Sequence, residues 1–181
     1  NLSASGLRSA DLKRSFFGTA EHYGKSGDII LFAVGINDYT DEHKAHPGAI
    51  DPSKYIANMT DMIQRAKAKG MTVYLVKQQG ELSDCKAYPI PTEKWFSDEI
   101  DAMAAAENVG VIDLFQPWLE FCLENTTIEA RKYYAPGENL HPNAQGADKL
   151  AQMVSEQLFP QKEPDGGSTE DPYKDFDNAS T

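Results

Sequence analysis

The chain has 181 residues, of which 40% are hydrophobic, and its formal net charge is −11. This length suits one domain that buries a core of its own, and no apolar run approaches the roughly 20 residues that a membrane span needs. An acidic protein has no electrostatic reason to bind the phosphate backbone of nucleic acid. We therefore expect neither nucleic acid nor a membrane among its partners.

The hydrophobic pattern predicts helices that alternate with strands. Apolar runs typical of strands buried on both faces occupy residues 29–34, 71–76 and 109–114. Residues 35–50 and 78–91 hold no periodicity and are predicted loops. Apolar residues at helical spacing, together with proline and glycine signals at the ends, predict helices at about 9–22, 51–70, 92–108, 117–125, 128–134 and 142–158.

This alternation predicts an α/β fold. Strands separated by helices run parallel, because each crossover returns the chain to the same end of the sheet. Right-handed crossovers then place helices on both faces, which gives a three-layer α/β/α sandwich. Three strands make a narrow sheet, so we expect at least the first strand of the fold to be missing from this chain. Active residues of such a fold lie at the carboxyl ends of the strands.

The last residues have a different composition. Residues 160–181 carry six acidic residues and two lysines, and they are rich in Pro, Gly, Ser and Thr. Such a segment has little apolar surface to bury. We therefore predict a catalytic domain at residues 1–159 and an acidic linker or tail at residues 160–181.

Gly35-Ile36-Asn37-Asp38 follows directly after the first predicted strand. A side-chain amide at the carboxyl end of a buried strand can donate a hydrogen bond to a developing oxyanion. Gly35 permits a backbone bend that leaves room for a substrate. The alternative interpretation is an ordinary Gly-Asn-Asp turn.

A second candidate group surrounds His141, which precedes a predicted helix that opens with Pro142. Glu138 lies three residues upstream, so its carboxylate can reach the imidazole, fix the tautomer and stabilise the imidazolium. The alternative is a histidine that caps the helix or packs in a loop.

A third candidate is the backbone N–H of Gly6, which lies just before the first predicted helix. It could point into a pocket, although a plain helix start with a serine cap explains the same residues.

Together the three segments resemble the SGNH, or GDSL-like, hydrolases. NLSASGLRS is similar to the second sequence block of that family, GIND to the third, and ENLHP to the last. The resemblance extends from Asn1 to about Leu158, with the blocks in the family's order. Among its members, polysaccharide deacetylases of the rhamnogalacturonan acetylesterase type look most similar, because they share a G-x-N-D loop and a histidine followed by a helix that contains Gly-Ala.

The resemblance implies a role for each matched residue. His141 would be the general base and then the general acid, with Glu138 as the third member of the triad. The Gly6 backbone and the Asn37 side chain would donate to the oxyanion. Asp38 would support the loop, and Tyr39 is the aromatic residue that we expect to face the substrate.

The sequence departs from the family in two places. Position 138 is Glu where the family usually has Asp, which lengthens the arm by one methylene. The GDS block with the nucleophilic serine is absent, so no nucleophile is identified in this chain. We expect it upstream of residue 1 or on another chain that completes the sheet. The alternative is Gly166-Gly167-Ser168, which would require a circular permutation.

The function that the resemblance implies is a secreted serine esterase that removes acetyl groups from a polysaccharide. It would need no cofactor and no metal. A lipase or lysophospholipase of the same fold, and a carbohydrate-binding module that has lost catalysis, are the alternatives. The metal-ligand types at Asp41-Glu42-His43 and His46 fit a solvated loop better than a site. Cys85 and Cys122 can form a disulfide or remain two thiols.

Overall fold

The computed structural model describes residues 7–38, 52–79, 91–125, 127–138 and 141–160. The three predicted strands and all the predicted helices are present, and most bounds agree to within two residues. The first helix contains a π-helical segment that the sequence pattern did not predict. The elements are α1 (Ser9–Asp11), the π-helical segment Leu12–Phe16, α2 (Phe17–Tyr23), β1 (Ile29–Phe32), α3 (Pro52–Ala68), β2 (Thr72–Lys77), α4 (Pro91–Glu107), β3 (Gly110–Asp113), α5 (Phe115–Glu124), α6 (Thr127–Arg131) and α7 (Ala144–Leu158).

The strands form one parallel sheet in the order β1-β2-β3. The helices from α1 to α4 pack on one face, where Val73 and Leu75 of β2 contact a core that includes Met59, Ile63 and Ile100. On the other face, α7 covers part of the sheet: its residues Leu150, Met153, Val154 and Leu158 pack against Val76, Ile112 and Leu114. The predicted three-layer α/β fold is confirmed.

One face of β1 is open, and here the prediction of a strand buried on both faces is wrong. Phe32 and Val34 are buried, but Ile29 and Leu31 on the opposite face are 49% and 41% exposed. The reason is the position of α7, which packs on β2 and β3. Within the described ranges, no helix covers the same face of β1.

The two edges of the sheet also differ. At β3, the side-chain amide of Gln157 pairs with the outer edge: the Asp113 N–H donates to Oε1 at 2.8 Å, and Nε2 donates to the Asp113 carbonyl at 2.9 Å. At β1, the edge borders a groove of about 610 Å³. Its lining comes from the first helices, from β1 and the residues after it, and from the end of β2: Leu7, Leu12, Phe17, Ala20, residues 29–37 and Gln78.

Helix α7 begins at Ala144, so Pro142 does not open it as predicted. Asn143 is the N-cap, and its Oδ1 accepts a hydrogen bond from the Gly146 N–H at 3.0 Å. Pro142 instead forms an antiparallel bridge with Tyr134. The Asn143 side chain accepts a hydrogen bond from a free backbone N–H of the first turn, which a proline side chain cannot do because it carries no acceptor.

Several predictions fall on residues outside the described ranges. These include the tail at 161–181 with Gly166-Gly167-Ser168, the stretch from Asp41 to His46, and Cys85. Cys122 is buried. None of the described helices combines the length and apolar character of a membrane-spanning segment.

Candidate active site

Asn37 lies in a tight turn at the carboxyl end of β1. Gly35 has a φ of 142°, a conformation that favours glycine, and the Asp38 N–H donates to the Gly35 carbonyl at 2.7 Å. The hydroxyl of Tyr55, a buried residue of α3, donates to the Val34 carbonyl at 3.1 Å. These contacts fix the chain where it leaves the sheet, as the predicted bend at Gly35 requires.

The Asn37 amide has a defined orientation. Its Nδ2 donates to the Leu7 carbonyl at 3.1 Å. Because a backbone carbonyl only accepts hydrogen bonds, the NH₂ end of the amide must face Leu7. One N–H is used there, and no described residue accepts a hydrogen bond from the second.

Asp38 connects the turn to the start of the first helix. It is 2% exposed, and the Ser9 backbone N–H donates to its two carboxylate oxygens at 2.9 and 3.1 Å, while the Ser9 hydroxyl donates to Oδ1 at 2.6 Å. The Asn58 amide donates in turn to the Ser9 hydroxyl at 3.2 Å. Burial raises the pKa of the Asp38 carboxyl above its ordinary value, and the hydrogen bonds from Ser9 oppose that rise.

Glu138 and His141 form the second group. Glu138 Oε2 contacts His141 Nδ1, and both side chains are exposed. A carboxylate on Nδ1 holds the imidazole in the tautomer whose Nε2 can take a proton. The carboxylate three residues upstream therefore reaches the ring as the spacing predicted.

The backbone around His141 is held by the chain before it. The Ala135 N–H donates to the His141 carbonyl at 2.8 Å, and the Glu138 N–H donates to the Ala135 carbonyl at 3.1 Å. Gly137, with a φ of 79°, allows the turn between them. The Asn143 side-chain amide also donates to the Lys132 and Tyr134 carbonyls, at 2.6 and 3.1 Å.

The predicted residues thus form two groups. Asn37 and Asp38 follow the carboxyl end of β1. Glu138 and His141 are anchored through Tyr134 to α5, which follows the carboxyl end of β3. Between the described residues, no hydrogen bond or ion pair joins the two groups. Gly6 and Tyr39 lie outside the described ranges, so their assigned positions stay predictions.

Other polar and aromatic candidates have structural contacts. Lys77, at the end of β2, pairs with Asp101 at 2.5 Å and with Asp113 at 3.4 Å. Trp118 and Tyr134 are buried against each other, with ring centroids 5.7 Å apart. In the described part of the chain, no three His, Cys, Asp or Glu side chains are grouped as metal ligands would be.

Sequence reasoning missed three residues of this region. Ser9 contacts Asp38, 29 residues away in sequence, and Asn58 contacts Ser9, 49 residues away. No local sequence pattern signals contacts between residues so far apart. Gln78 lines the same groove as Asn37. Its position directly after a buried strand is the signal that identified Asn37, and it would have identified Gln78 as well.

Comparison with known proteins identifies the family. The model of the GDSL-like lipase/acylhydrolase family matches residues 1–149. The chain is 32% identical over 138 residues to an uncharacterized esterase, YxiM, of Bacillus subtilis; the match covers 75% of this chain and 35% of YxiM. The chain therefore spans about a third of the length of this curated relative.

Solved structures agree with this family. The crystal structure of the Bacillus subtilis YxiM protein matches with a TM-score of 0.77 and 28% identity, over 87% of this chain and 44% of that one. The acetyl xylan esterase AlAXEase has a TM-score of 0.66 at 21% identity, over 86% and 78% of the two chains. Axe2, an acetylxylan esterase from Geobacillus stearothermophilus, has a TM-score of 0.63 at 17% identity, over 86% and 69%. At these identities the two acetylxylan esterases show the fold alone. The family model, which matches residues 1–149, shows that this chain belongs to the GDSL-like lipase/acylhydrolase family.

Proposed function

We propose that this chain is the histidine-bearing part of a secreted serine esterase that removes acetyl groups from a polysaccharide. The contact between Glu138 Oε2 and His141 Nδ1 carries the proposal, because it is the pairing that prepares an imidazole for general-base catalysis. Membership of an esterase family supports hydrolysis of an ester. Acetylxylan esterases among the similar folds support the carbohydrate substrate.

The reaction would proceed through an acyl-enzyme. A serine oxygen bonds to the ester carbonyl carbon as its proton moves to His141 Nε2, and the carbonyl electron pair moves to oxygen. Collapse of this intermediate breaks the bond to the sugar oxygen, which takes the proton from His141. Water then attacks the acyl-enzyme in the same way, and acetic acid and the free serine are released. This chemistry requires no cofactor.

Asn37 would stabilise the oxyanion through its second amide N–H. The hydrogen bond to the Leu7 carbonyl fixes the amide plane before substrate binds, so little reorganisation is needed in the transition state. The Gly6 backbone N–H would be a further donor, as the family resemblance implies.

We propose that a segment preceding Asn1 supplies the nucleophilic serine and completes the sheet. Among the described residues, no strand pairs with the outer edge of β1. This edge, the exposed face of Ile29 and Leu31, and the groove along the edge support this arrangement. An added parallel strand would pair with β1 about 4.8 Å away. Its carboxyl end would then lie beside Gly35 and Asn37. The Gln157 side chain occupies the edge of β3, which favours β1 as the site of addition.

The test is hydrolysis of p-nitrophenyl acetate and of acetylated xylan by the protein with the residues that precede Asn1. We expect His141→Ala to lower kcat by more than about 100-fold, and Glu138→Gln by roughly 10-fold or more, because proton transfer contributes about 10²–10⁴-fold. His22→Ala, an exposed histidine of α2, is the matched control and should keep full activity.

Three results would contradict the proposal. Full activity of His141→Ala would remove the histidine from the mechanism. Absence of turnover by the wild type, with retained binding of xylan, would favour the binding module. Turnover of long-chain lipid esters but not of acetylated xylan would favour the lipase alternative.

A further inference from the structure

The hydroxyl of Ser9 lies where three parts of the chain meet. Ser9 is the first residue of α1 and is fully buried. Its hydroxyl donates to Asp38 Oδ1 at 2.6 Å and accepts a hydrogen bond from the Asn58 side-chain amide at 3.2 Å. A hydroxyl group can make both bonds at once. One buried oxygen therefore connects helix α3, the start of the first helix and the turn after β1.

Asp38 acts as the cap of the first helix, although it lies 29 residues away in sequence. The first N–H groups of a helix have no partner within the helix, and Arg8, the N-cap, makes no side-chain cap hydrogen bond. The Ser9 N–H donates instead to both carboxylate oxygens of Asp38, at 2.9 and 3.1 Å. Ser9 thus gives this buried carboxylate three hydrogen bonds, so the position of Asp38 depends on Ser9.

Helix α3 supports this junction. Tyr55 and Asn58 lie three residues apart on α3 and therefore on one face of it. The Tyr55 hydroxyl donates to the Val34 carbonyl at the end of β1, and the Asn58 amide donates to the Ser9 hydroxyl. Met59 anchors the same helix in the main core. The Ser9 hydroxyl is therefore held by an element that is itself firmly packed.

The junction adjoins the amide that is proposed to bind the oxyanion. Asn37 directly precedes Asp38, and its Nδ2 donates at 3.1 Å to the carbonyl of Leu7, two residues before Ser9. Residues 7–9 and 37–38 are thus joined at two points, and their relative position sets where the second N–H of Asn37 points. Precise placement matters, because a displacement of about 1 Å in an active site can cost roughly 100-fold in rate.

We propose that Ser9 is a positioning residue of the esterase reaction. Its hydroxyl, supported by Asn58, holds Asp38 in place, and this contact aims the second N–H of Asn37 at the ester oxygen. The inference rests on the proposed esterase function and adds to it a residue that does not touch the substrate. Because Ser9 is buried, it affects the reaction only through the groups that it holds.

The first experiment measures hydrolysis of p-nitrophenyl acetate by the protein that includes the residues before Asn1. Ser9→Ala removes the hydroxyl and should lower kcat and kcat/KM equally, by roughly 10-fold, because the oxyanion forms only in the transition state. Loss of a whole oxyanion donor costs more, about 10²–10³-fold. Ser97→Ala, a buried serine of α4, is the matched control and should keep the wild-type values.

The second experiment asks whether Ser9 acts through Asn37. In an Asn37→Ala background the donor is gone, so adding Ser9→Ala should lower kcat by less than about 2-fold further. A merely structural role would give the same loss in both backgrounds. Asn58→Ala removes only the support of the hydroxyl and should lower kcat by roughly 3-fold in the wild type but not in the Asn37→Ala background. If Ser9→Ala does not fold, this second variant decides by the same comparison.

Three outcomes would overturn the inference while His141→Ala remains inactive. They are an equal loss in the two backgrounds, a wild-type kcat for Ser9→Ala, and a raised KM with unchanged kcat. Each of them leaves the proposed esterase function standing.

The proposed function itself fails if the wild type hydrolyses no ester or if His141→Ala keeps full activity. In that case the motion of the Asn37 side-chain amide decides whether Ser9 holds it. We expect nitrogen-15 relaxation to report a lower order parameter for this amide in Ser9→Ala than in the wild type and in Ser97→Ala. Equal order parameters in the three proteins reject the inference.

Discussion

At the scale of single residues, the turn after β1 depends on one buried carboxylate. Asp38 accepts three hydrogen bonds from Ser9, and the neighbouring Asn37 holds the Leu7 carbonyl. The turn and the start of the first helix are therefore joined on both sides of Arg8. This arrangement keeps the amide of Asn37 beside the segment that precedes the helix.

The raised pKa of Asp38 predicts a pH-dependent stability. Because burial raises its pKa in the folded state above the ordinary value of 3.8, the folded protein binds the proton more tightly than the unfolded chain. The contribution of this carboxyl to the free energy of unfolding is fully present below pH 3.8 and is lost as the pH rises through the pKa of the folded state. We therefore expect the free energy of unfolding of the wild type to fall relative to that of Asp38→Asn as the pH rises over that range.

Urea unfolding from pH 3 to 7 measures this difference. Asp148→Asn, which alters an exposed aspartate of α7, is the matched control. A wild-type-minus-Asp38→Asn difference that stays constant over the whole range would contradict the assignment of burial as the dominant cause.

The sequence predicted Asn37 and the Glu138–His141 pair because each follows from local order: an amide after a strand, and an acid three residues before a histidine. It did not predict Ser9 or Asn58, because their partners are distant in sequence. Gly6 and Tyr39 remain predictions that rest on the family resemblance.

At the scale of elements, the loop that carries His141 is pressed against the start of α7. A Cβ on Gly146 would lie 2.1 Å from the Tyr133 carbonyl oxygen, which is part of the backbone and cannot rotate away. The Asn143 cap and its bonds to the Lys132 and Tyr134 carbonyls complete the contact. Glycine is therefore required where the helix crosses the preceding chain.

We expect Gly146→Ala to lower the free energy of unfolding by about 1–3 kcal/mol, the usual cost of overpacking. Gly18→Ala is the matched control: it lies in α2 with nothing within 4 Å of an added Cβ. That change should stabilise the protein by roughly 0.5–1 kcal/mol, as alanine does within a helix. Equal effects of the two substitutions in urea unfolding would refute the crowding argument.

Periodicity predicted the order and type of the elements well, because the apolar residues that face the core recur at regular spacing along an element such as α3 or β2. It failed where a distant partner decides the outcome. Helix α7 starts two residues later than predicted because Asn143, not Pro142, meets the Tyr134 and Lys132 carbonyls. The apolar sequence of β1 shows that both faces suit burial, but not what covers them.

At the scale of the whole molecule, the open side of β1 predicts a dependence on the proposed preceding segment. In the protein that includes it, Leu31 would be covered, and Leu31→Asp should lower the free energy of unfolding by about 1.5–3 kcal/mol. Tyr23→Asp, at a residue that is 73% exposed on α2, is the control and should change it little. A Leu31→Asp effect as small as that of the control would contradict the covering of this face by the preceding segment.

The amide of Gln157 on β3 has a consequence for self-association. A polymer that grows by strand-to-strand pairing needs two complementary strand edges on each subunit, one for each neighbour. In the described sheet the edge at Asp113 is already occupied by a side chain. If two copies pair through β1, strand addition therefore stops at a dimer, because the Gln157 side chain blocks pairing at the β3 edge of each copy.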